Sequence, residues 1–441
     1  MIPFELVGHR LEYISDYLGQ ESVEFLAINN HDCTHIVCYP QVGRPDEQFS
    51  NLKALTVYVS EDEPAIGGLC RLLMIRDLEF VHVEEWDDRE RIDIARMILP
   101  HLGKQKNLKA LTLDTNGSDS PPVGEERESL WPKLKSLYIR RANEDWFVQL
   151  PKFKELELLT LLPHRNISIF SSSILAEAVA KCKTLRSIYI PTLHLGSVND
   201  VDHNIHVLLD IARGCPLLQK LSVADFGDTE VKEPFLLDLL KALPRLEFLK
   251  LGLVFRVYGT DLQDIAHHCP RLTFFELSGA KLYISLTQMT RTLPFRHLEI
   301  MRFENIFFKR PLHIGRGAKF QTLVTEWSRI FPKLQMMPCV NEWEMAPAMR
   351  ERLDRGGNAW GSSEEEPLFP DTDDEEADIE WRWVKSKLWE ALNYGDYDER
   401  TVEKRQYLWD IDLQIETIGW PVIPSAAFIN PNLYSTSAHL F

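Results

Sequence analysis

Near the start of the chain stand four side chains of the types that hold zinc: His31, Cys33, His35 and Cys38. A closed zinc site needs four ligands converging as a tetrahedron. These four lie so close along the chain that one structural element would not present them all, so they read as helix and turn residues. His267 and His268 precede Cys269 at an expected helix end, where the helix dipole favours histidine, and they need no ligand role. GRGAK (315–319) has glycines and a lysine without the spacing of a phosphate cradle and reads as a loop. The chain contains no GxSxG, GxxxxGK, HExxH or CxxC motif. No catalytic residue, metal ligand or cofactor is assigned, and the chain reads as a binding protein, not an enzyme.

Charge narrows the partners. The formal net charge is −17, and residues 364–380 hold ten acids and no base, which leaves −7 for the rest of the 441-residue chain. A phosphate-binding surface needs clustered lysine and arginine, so nucleic acid is not expected as a main ligand. The acidic run reads as a solvated linker. It is alternatively a docking tail for a basic partner, or a segment phosphorylated at Ser362, Ser363 or Thr372. No run of about 18 apolar residues is present, and MIPFELVGHR lacks the regions of a signal peptide, so no membrane partner is expected. Seven cysteines without a framework pattern point to a reducing compartment, cytoplasmic or nuclear.

The elements that position any binding surface come from a line repeated at intervals of about 22 to 33 residues: apolar, two variable, apolar, one variable, apolar. The copies are NLKALTV (51–57), MIRDLEF (74–80), NLKALTL (107–113), PKLKSLYI (132–139), ELELLTL (155–161), KTLRSIYI (183–190), PLLQKLSV (216–223), PRLEFLKL (244–251), PRLTFFEL (270–277) and RHLEIMRF (296–303), with PKLQMM (332–337) as an atypical last copy. The last two apolar residues are two apart and so share one face of a short strand. Between copies, ILAEAVAKC (174–182), HVLLDIARGC (206–215), LLDLLKAL (236–243) and DLQDIAHHC (261–269) space their apolar residues as helices do. A strand-plus-helix unit cannot bury its apolar face alone, so units are expected to stack into a parallel α/β solenoid.

This pattern resembles the leucine-rich repeat family, in its cysteine-containing subtype where a helix ends in Cys-Pro before the next strand. Pro216, Pro244 and Pro270 stop helices, and Cys182, Cys215 and Cys269 fill small buried slots. The asparagine that the family often places after the strand is present at Asn116, whereas Ser60, Ala142 and Ala280 stand at the equivalent places. An irregular array is expected. The repeat domain is assigned to 49–345.

Residues 1–48 carry a different resemblance. ISDYLGQESVEFLAINNHDCTHI (14–36) and MIPFEL (1–6) resemble an F-box, a helical module that in its family binds the adaptor subunit of a ubiquitin ligase. The resemblance implies adaptor contacts at Pro3, Leu6, Ile14, Tyr17, Leu18, Val23, Leu26 and Ile28, and a partner set of adaptor, cullin complex and protein substrate. The pattern departs from the family at Cys33, at Asn29–Asn30 and in about four extra residues between Pro3 and Tyr17. Val23, Leu26 and Ile28 equally fit the repeat line as a first, capping strand. After the repeats, 346–380 is assigned as an acidic linker. Residues 381–441 form a tryptophan-rich segment, whose WRWVKSKLWEAL (381–392) sets Trp381, Val384, Leu388 and Leu392 on one helical face and is expected to cap the repeat end.

The substrate surface should lie on strand residues alternating with the buried ones: Tyr138, Arg140, Tyr189, Lys220, Ser222, Phe248, Lys250, Phe274, Glu276, Arg302 and Glu304. Phe248 and Phe274 are expected as an exposed aromatic pair flanked by Lys250 and Arg302, suited to a peptide with an apolar anchor and acidic or phosphorylated neighbours. The alternative is that the tryptophan-rich segment or the acidic run covers this patch. Together the two resemblances imply a substrate receptor of an SCF-type ubiquitin ligase. A stand-alone interaction scaffold is the alternative.

Overall fold

The computed structural model describes residues 25–28, 51–59, 63–74, 77–85, 94–115, 130–163, 169–190, 201–223, 235–308 and 318–334. The chain divides into two compact units, with the boundary between Ile167 and Ser168. The first contains strands β1 (Phe25–Ile28), β2 (Ala54–Val59), β3 (Phe80–Glu85), β4 (Ala110–Asp114), β5 (Ser136–Ala142) and β6 (Leu158–Pro163). Between them run helices α1 (Glu63–Leu72), α2 (Ile94–Leu102) and α3 (Glu144–Gln149). The second unit contains α4 (Ile169–Ala180), β7 (Ser187–Ile190), α5 (Val201–Gly214), β8 (Lys220–Val223), α6 (Phe235–Ala242) and β9 (Phe248–Tyr258). It continues through α7 (Gly259–His268), β10 (Phe274–Ile284), α8 (Leu286–Met289), β11 (Ile300–Phe308) and α9 (Ala318–Ile330).

Within each unit, neighbouring strands pair in parallel and in sequence order. This is the strand–helix stacking that the repeated line requires. The second and fourth strand positions form two buried rows: Leu55, Val81, Leu111, Leu137 and Leu159 beside Val57, Val83, Leu113, Ile139 and Leu161 in the first unit. In the second they are Ile188, Leu221, Leu249, Phe275 and Met301 beside Ile190, Val223, Leu251, Leu277 and Phe303. Each such side chain contributes about 1.5–3 kcal/mol by leaving water, and the helices close over them.

The register corrects one copy. Val81 and Val83 pair with Leu55 and Val57, so the line in β3 begins at Leu78 and not at Ile75. MIRDLEF and LEFVHV both satisfy the apolar spacing, and only the partner strands decide between them. Asp77, in the left-handed region at φ 68°, turns the chain just before that Leu78.

A second correction concerns the N-terminal module. Leu26 and Ile28, expected on an F-box helix, lie in β1, with Leu26 beside Leu55 and Ile28 beside Val57. The segment extends the parallel ladder, as the capping-strand alternative requires. Pro3, Leu6, Ile14, Tyr17, Leu18 and Val23 lie outside the described residues, as do His31, Cys33, His35, Cys38, the linker 346–380 and the segment 381–441.

Two cross-coil devices hold the stack. The carbonyl of the residue two before each strand's second position accepts from two consecutive amides of the next coil. Lys53 receives Glu79 and Phe80 at 2.8 and 3.0 Å, and the series continues through Glu79, Lys109 and Lys135 in the first unit and Arg186, Gln219, Glu247 and Thr273 in the second. The other device is a buried side-chain donor that some coils carry three residues before the first leucine. Cys215 Sγ donates to Val179 O at 3.3 Å and Cys182 O at 3.6 Å, while Cys269 donates to Leu243 O at 3.6 Å and Leu240 O at 3.8 Å. Gln105 and Trp131 occupy the same slot without being cysteine, donating to Leu73 O and Leu102 O, each at 2.8 Å. All of these acceptors belong to the end of the preceding helix or the turn after it, and several also accept a backbone amide of that turn, as Leu102 O does from Gln105 and Val179 O from Cys182, each at 2.9 Å.

The expected irregularity is present where alanine stands for asparagine. The β5–β6 register shifts between Arg140 and Ala142, leaving Arg141 at φ 58°, and the β10 ladders shift between Leu277 and Lys281, around Ala280. Asn116 lies outside the described residues.

Candidate functional site

Strand pairing in register sets the side chains of the other sheet face into rows. In the first unit one row runs Thr56, His82, Thr112, Tyr138, Thr160, and beside it stand Glu84, Asp114 and Arg140. Asp114 is the hub. Arg140 Nη1 donates to its Oδ1 at 3.1 Å and Tyr138 OH to its Oδ2 at 3.3 Å, while His82 Nε2 meets Glu84 Oε2 at 3.3 Å. Burial pushes the Asp114 carboxyl above the ordinary carboxylate range; Arg140 opposes this, Glu84 adds to it, and His82 opposes it weakly. The sequence reading named Tyr138 and Arg140 but missed His82, Glu84 and Asp114. The shifted second copy, MIRDLEF, hid the first two, because its line ends at Phe80.

In the second unit, one row runs Ser187, Lys220, Phe248, Phe274, Ile300 and the next Tyr189, Ser222, Lys250, Glu276, Arg302. Phe248 and Phe274 stack with ring centroids 4.2 Å apart and planes 10° apart. They are not the exposed pair that alternation predicts, being only 4% and 5% exposed. Alternation assigns a face, not a depth, and each ring covers one side of the other. Glu276, expected to point outward, is likewise buried. Its Oε1 takes Ser278 Oγ at 2.8 Å and lies 3.4 Å from Lys250 Nζ, and its Oε2 lies 3.5 Å from Arg302 Nη1. The carboxylate therefore ties β9, β10 and β11 together on this face. Tyr189, Lys250 and Arg302 are partly exposed, and Glu304 lies on β11.

The arrangement is one of binding groups. Among the described residues, no group of three or more His, Cys, Asp and Glu side chains could hold a metal ion, and no helix is long and apolar enough to cross a membrane. Cys215 and Cys269 are free thiols, and burial pushes both up to about 12, with Cys182 adding to the rise at Cys215. Neither supplies a thiolate nucleophile near neutral pH. His101 is lowered by burial, with Lys104 beside it, and lies at the end of α2.

Strands paired in parallel, a helix between most of them, and the LxxLxL line in every coil define a leucine-rich-repeat type of α/β protein. No family model matches the chain. Among solved structures, it is similar to an internalin from Listeria monocytogenes at 14% identity, covering 72% of this chain and 87% of that one, with a TM-score of 0.39. A leucine-rich repeat protein of Leptospira interrogans is similar at 14% identity over 78% of this chain and 96% of that one, with a TM-score of 0.39. A chain in the Rad7 and Elc1 complex in yeast is similar at 12% identity over 71% of this chain and 68% of that one, again with a TM-score of 0.39.

Proposed function

We propose that this chain is a protein-interaction scaffold without catalytic activity of its own, and that a protein partner binds the sheet face opposite the buried leucine rows of one unit or the other. The observation that carries this reading is the in-register rows of aromatic and charged side chains, Tyr138, Asp114 and Arg140 in one unit and Tyr189, Lys250, Glu276 and Arg302 in the other. Rows spaced by the strand repeat present a regular surface whose specificity lies in side-chain identity. The buried free thiols of Cys182, Cys215 and Cys269 support a reducing compartment, cytoplasmic or nuclear.

The test is capture of partners by the full-length protein and by variants on two sets of positions. The face set is Tyr138→Ala, Tyr189→Ala and Arg302→Gln; the control set is Met97→Ser and Val148→Ser, which are exposed apolar side chains of helices α2 and α3. Partners lost with the face set and kept with the control set support the reading. Partners insensitive to the face set refute it.

A finer reading makes the scaffold the substrate receptor of an SCF-type ubiquitin ligase, with adaptor contacts at Pro3, Leu6, Ile14, Tyr17, Leu18 and Val23. Its support is the likeness of MIPFEL and ISDYL to an F-box. Against it stands the strand pairing of Leu26 and Ile28, which removes two of the eight expected contacts from a helix. Capture of a ligase adaptor and cullin by the full chain, lost with Leu6→Ala and Tyr17→Ala together, would restore it. No capture leaves the plain scaffold.

A further inference from the structure

Three neighbouring strands of the second unit present Lys250, Glu276 and Arg302 side by side, a row of plus, minus, plus. The minus is not available to a ligand. The Glu276 side chain is 3% exposed and is engaged by both cations and by the Ser278 hydroxyl. The two cations are each 20% exposed, and two positive charges against one negative leave the row at +1. Among the described residues Arg302 Nε, itself buried, has no hydrogen-bond acceptor, so a guanidinium turned toward an incoming carboxylate gains a bond that it does not make with them.

Geometry then selects the spacing of the ligand. Adjacent strands lie about 4.8 Å apart, so Lys250 and Arg302, two strands apart, anchor their side chains about 9.6 Å from each other. An extended chain in the polyproline-II conformation presents the same face every three residues, about 9.3 Å along its axis. We propose, resting on the reading of this face as a protein-interaction surface, that the Lys250–Glu276–Arg302 row binds an acidic peptide segment of a partner protein whose two carboxylates stand three residues apart. One carboxylate meets each cation, and the two neutral residues between them pass over Glu276. A pair of carboxylates only two residues apart spans about 6.7 Å in an extended chain and brings one charge toward Glu276. The buried Phe248–Phe274 stack lies in the adjacent row and stiffens the floor; it is no anchor.

The test uses the full-length protein and three labelled peptides of one length, Glu-x-x-Glu, Glu-x-Glu and Gln-x-x-Gln, with alanine and proline as x, read by fluorescence polarisation. Glu-x-x-Glu should bind at least about tenfold tighter than either control, with affinity falling as salt is raised. Arg302→Gln and Lys250→Gln should each weaken binding about tenfold while Lys250→Arg keeps it, and thermal melts of every variant show that the fold persists. Equal binding of Glu-x-x-Glu and Glu-x-Glu, or binding indifferent to Arg302→Gln, overturns the proposal. Binding that emerges only after the ten carboxylates of 364–380 are replaced by amides in the full chain assigns the row to that run, and also overturns a partner in trans. Partner capture that depends on Tyr138 and Tyr189 without any peptide binding refutes this proposal alone and leaves the scaffold standing.

Discussion

Replacing Glu276 by glutamine should cost the second unit about 2 kcal/mol. The amide keeps the shape of the side chain and its bond from Ser278, and loses only the charge. Removing one member of a buried ion pair costs roughly 3–5 kcal/mol when the orphaned charge stays buried. Here the orphans are Lys250 and Arg302, each 20% exposed and 3.4–3.5 Å from the carboxylate, so both can turn toward water and the cost is correspondingly reduced. For a cooperative unit of this size, about 2 kcal/mol lowers the melting temperature by roughly 4–8 °C. Calorimetry of Glu276→Gln, Arg302→Gln and the double variant measures both the loss and the coupling, which should reach about 1–2 kcal/mol if the pair acts as a unit. Ser278→Ala, which removes a hydroxyl donor and no charge, should cost only about 1 kcal/mol. A Glu276→Gln protein within about 0.5 kcal/mol of the parent, or a double variant with purely additive loss, would show that the carboxylate does not tie the three strands together.

Other outcomes follow from particular contacts. A Cβ on Gly214 would stand 2.3 Å from Ala180 Cα, backbone of the neighbouring helix α4, so Gly214→Ala should destabilise by about 2–3 kcal/mol in chemical denaturation, against the usual helix gain for that change. Arg141 holds φ 58°, so Arg141→Gly should be about 1 kcal/mol more stable than Arg141→Ala, a comparison that isolates the backbone from the lost side chain. Cys215 and Cys269 are held up to about 12 when folded and return to their ordinary value of 9.0 when unfolded. Above pH 9 the unfolded chain releases these protons first, so stability should fall with rising pH by up to about 2.7 kcal/mol per unit from the two together. Urea titrations from pH 8 to 11 should show that slope reduced in a Cys215→Ala, Cys269→Ala protein; an unchanged slope rejects the assignment.

The strands were legible because period-two spacing puts both apolar residues of LxxLxL on one face, a constraint that local sequence carries by itself. Register was less so. Ile75, Leu78 and Phe80 satisfy the same spacing as Leu78, Val81 and Val83, and the choice is made by β2 and β4, which lie far away in sequence. Val23, Leu26 and Ile28 fit two architectures for the same reason, and pairing with Leu55 and Val57 decides in favour of the strand. The candidate face was legible as a set of residues and not as an electrostatic object. Alternation named Lys250, Glu276 and Arg302, but that the middle one is buried between the others depends on three strands meeting. The slot before each first leucine was seen only where cysteine fills it; Gln105 and Trp131 do the same work with unlike chemistry, which no residue-type pattern reveals.

That slot has a direction. At Gln105, Trp131, Cys215 and Cys269 the side chain reaches back from a later coil to carbonyls at the end of an earlier helix, whereas Cys182 donates to Ala178 O of its own helix at 3.5 Å. During synthesis the helix most recently released from the ribosome lacks this additional donor to its last carbonyls until the following Gln105, Trp131, Cys215 or Cys269 emerges. A chain cut between coils leaves its last helix in the same state. Truncations of this protein should therefore be judged by where the next slot falls, and a fragment ending just after such a residue should be more robust than one several residues shorter.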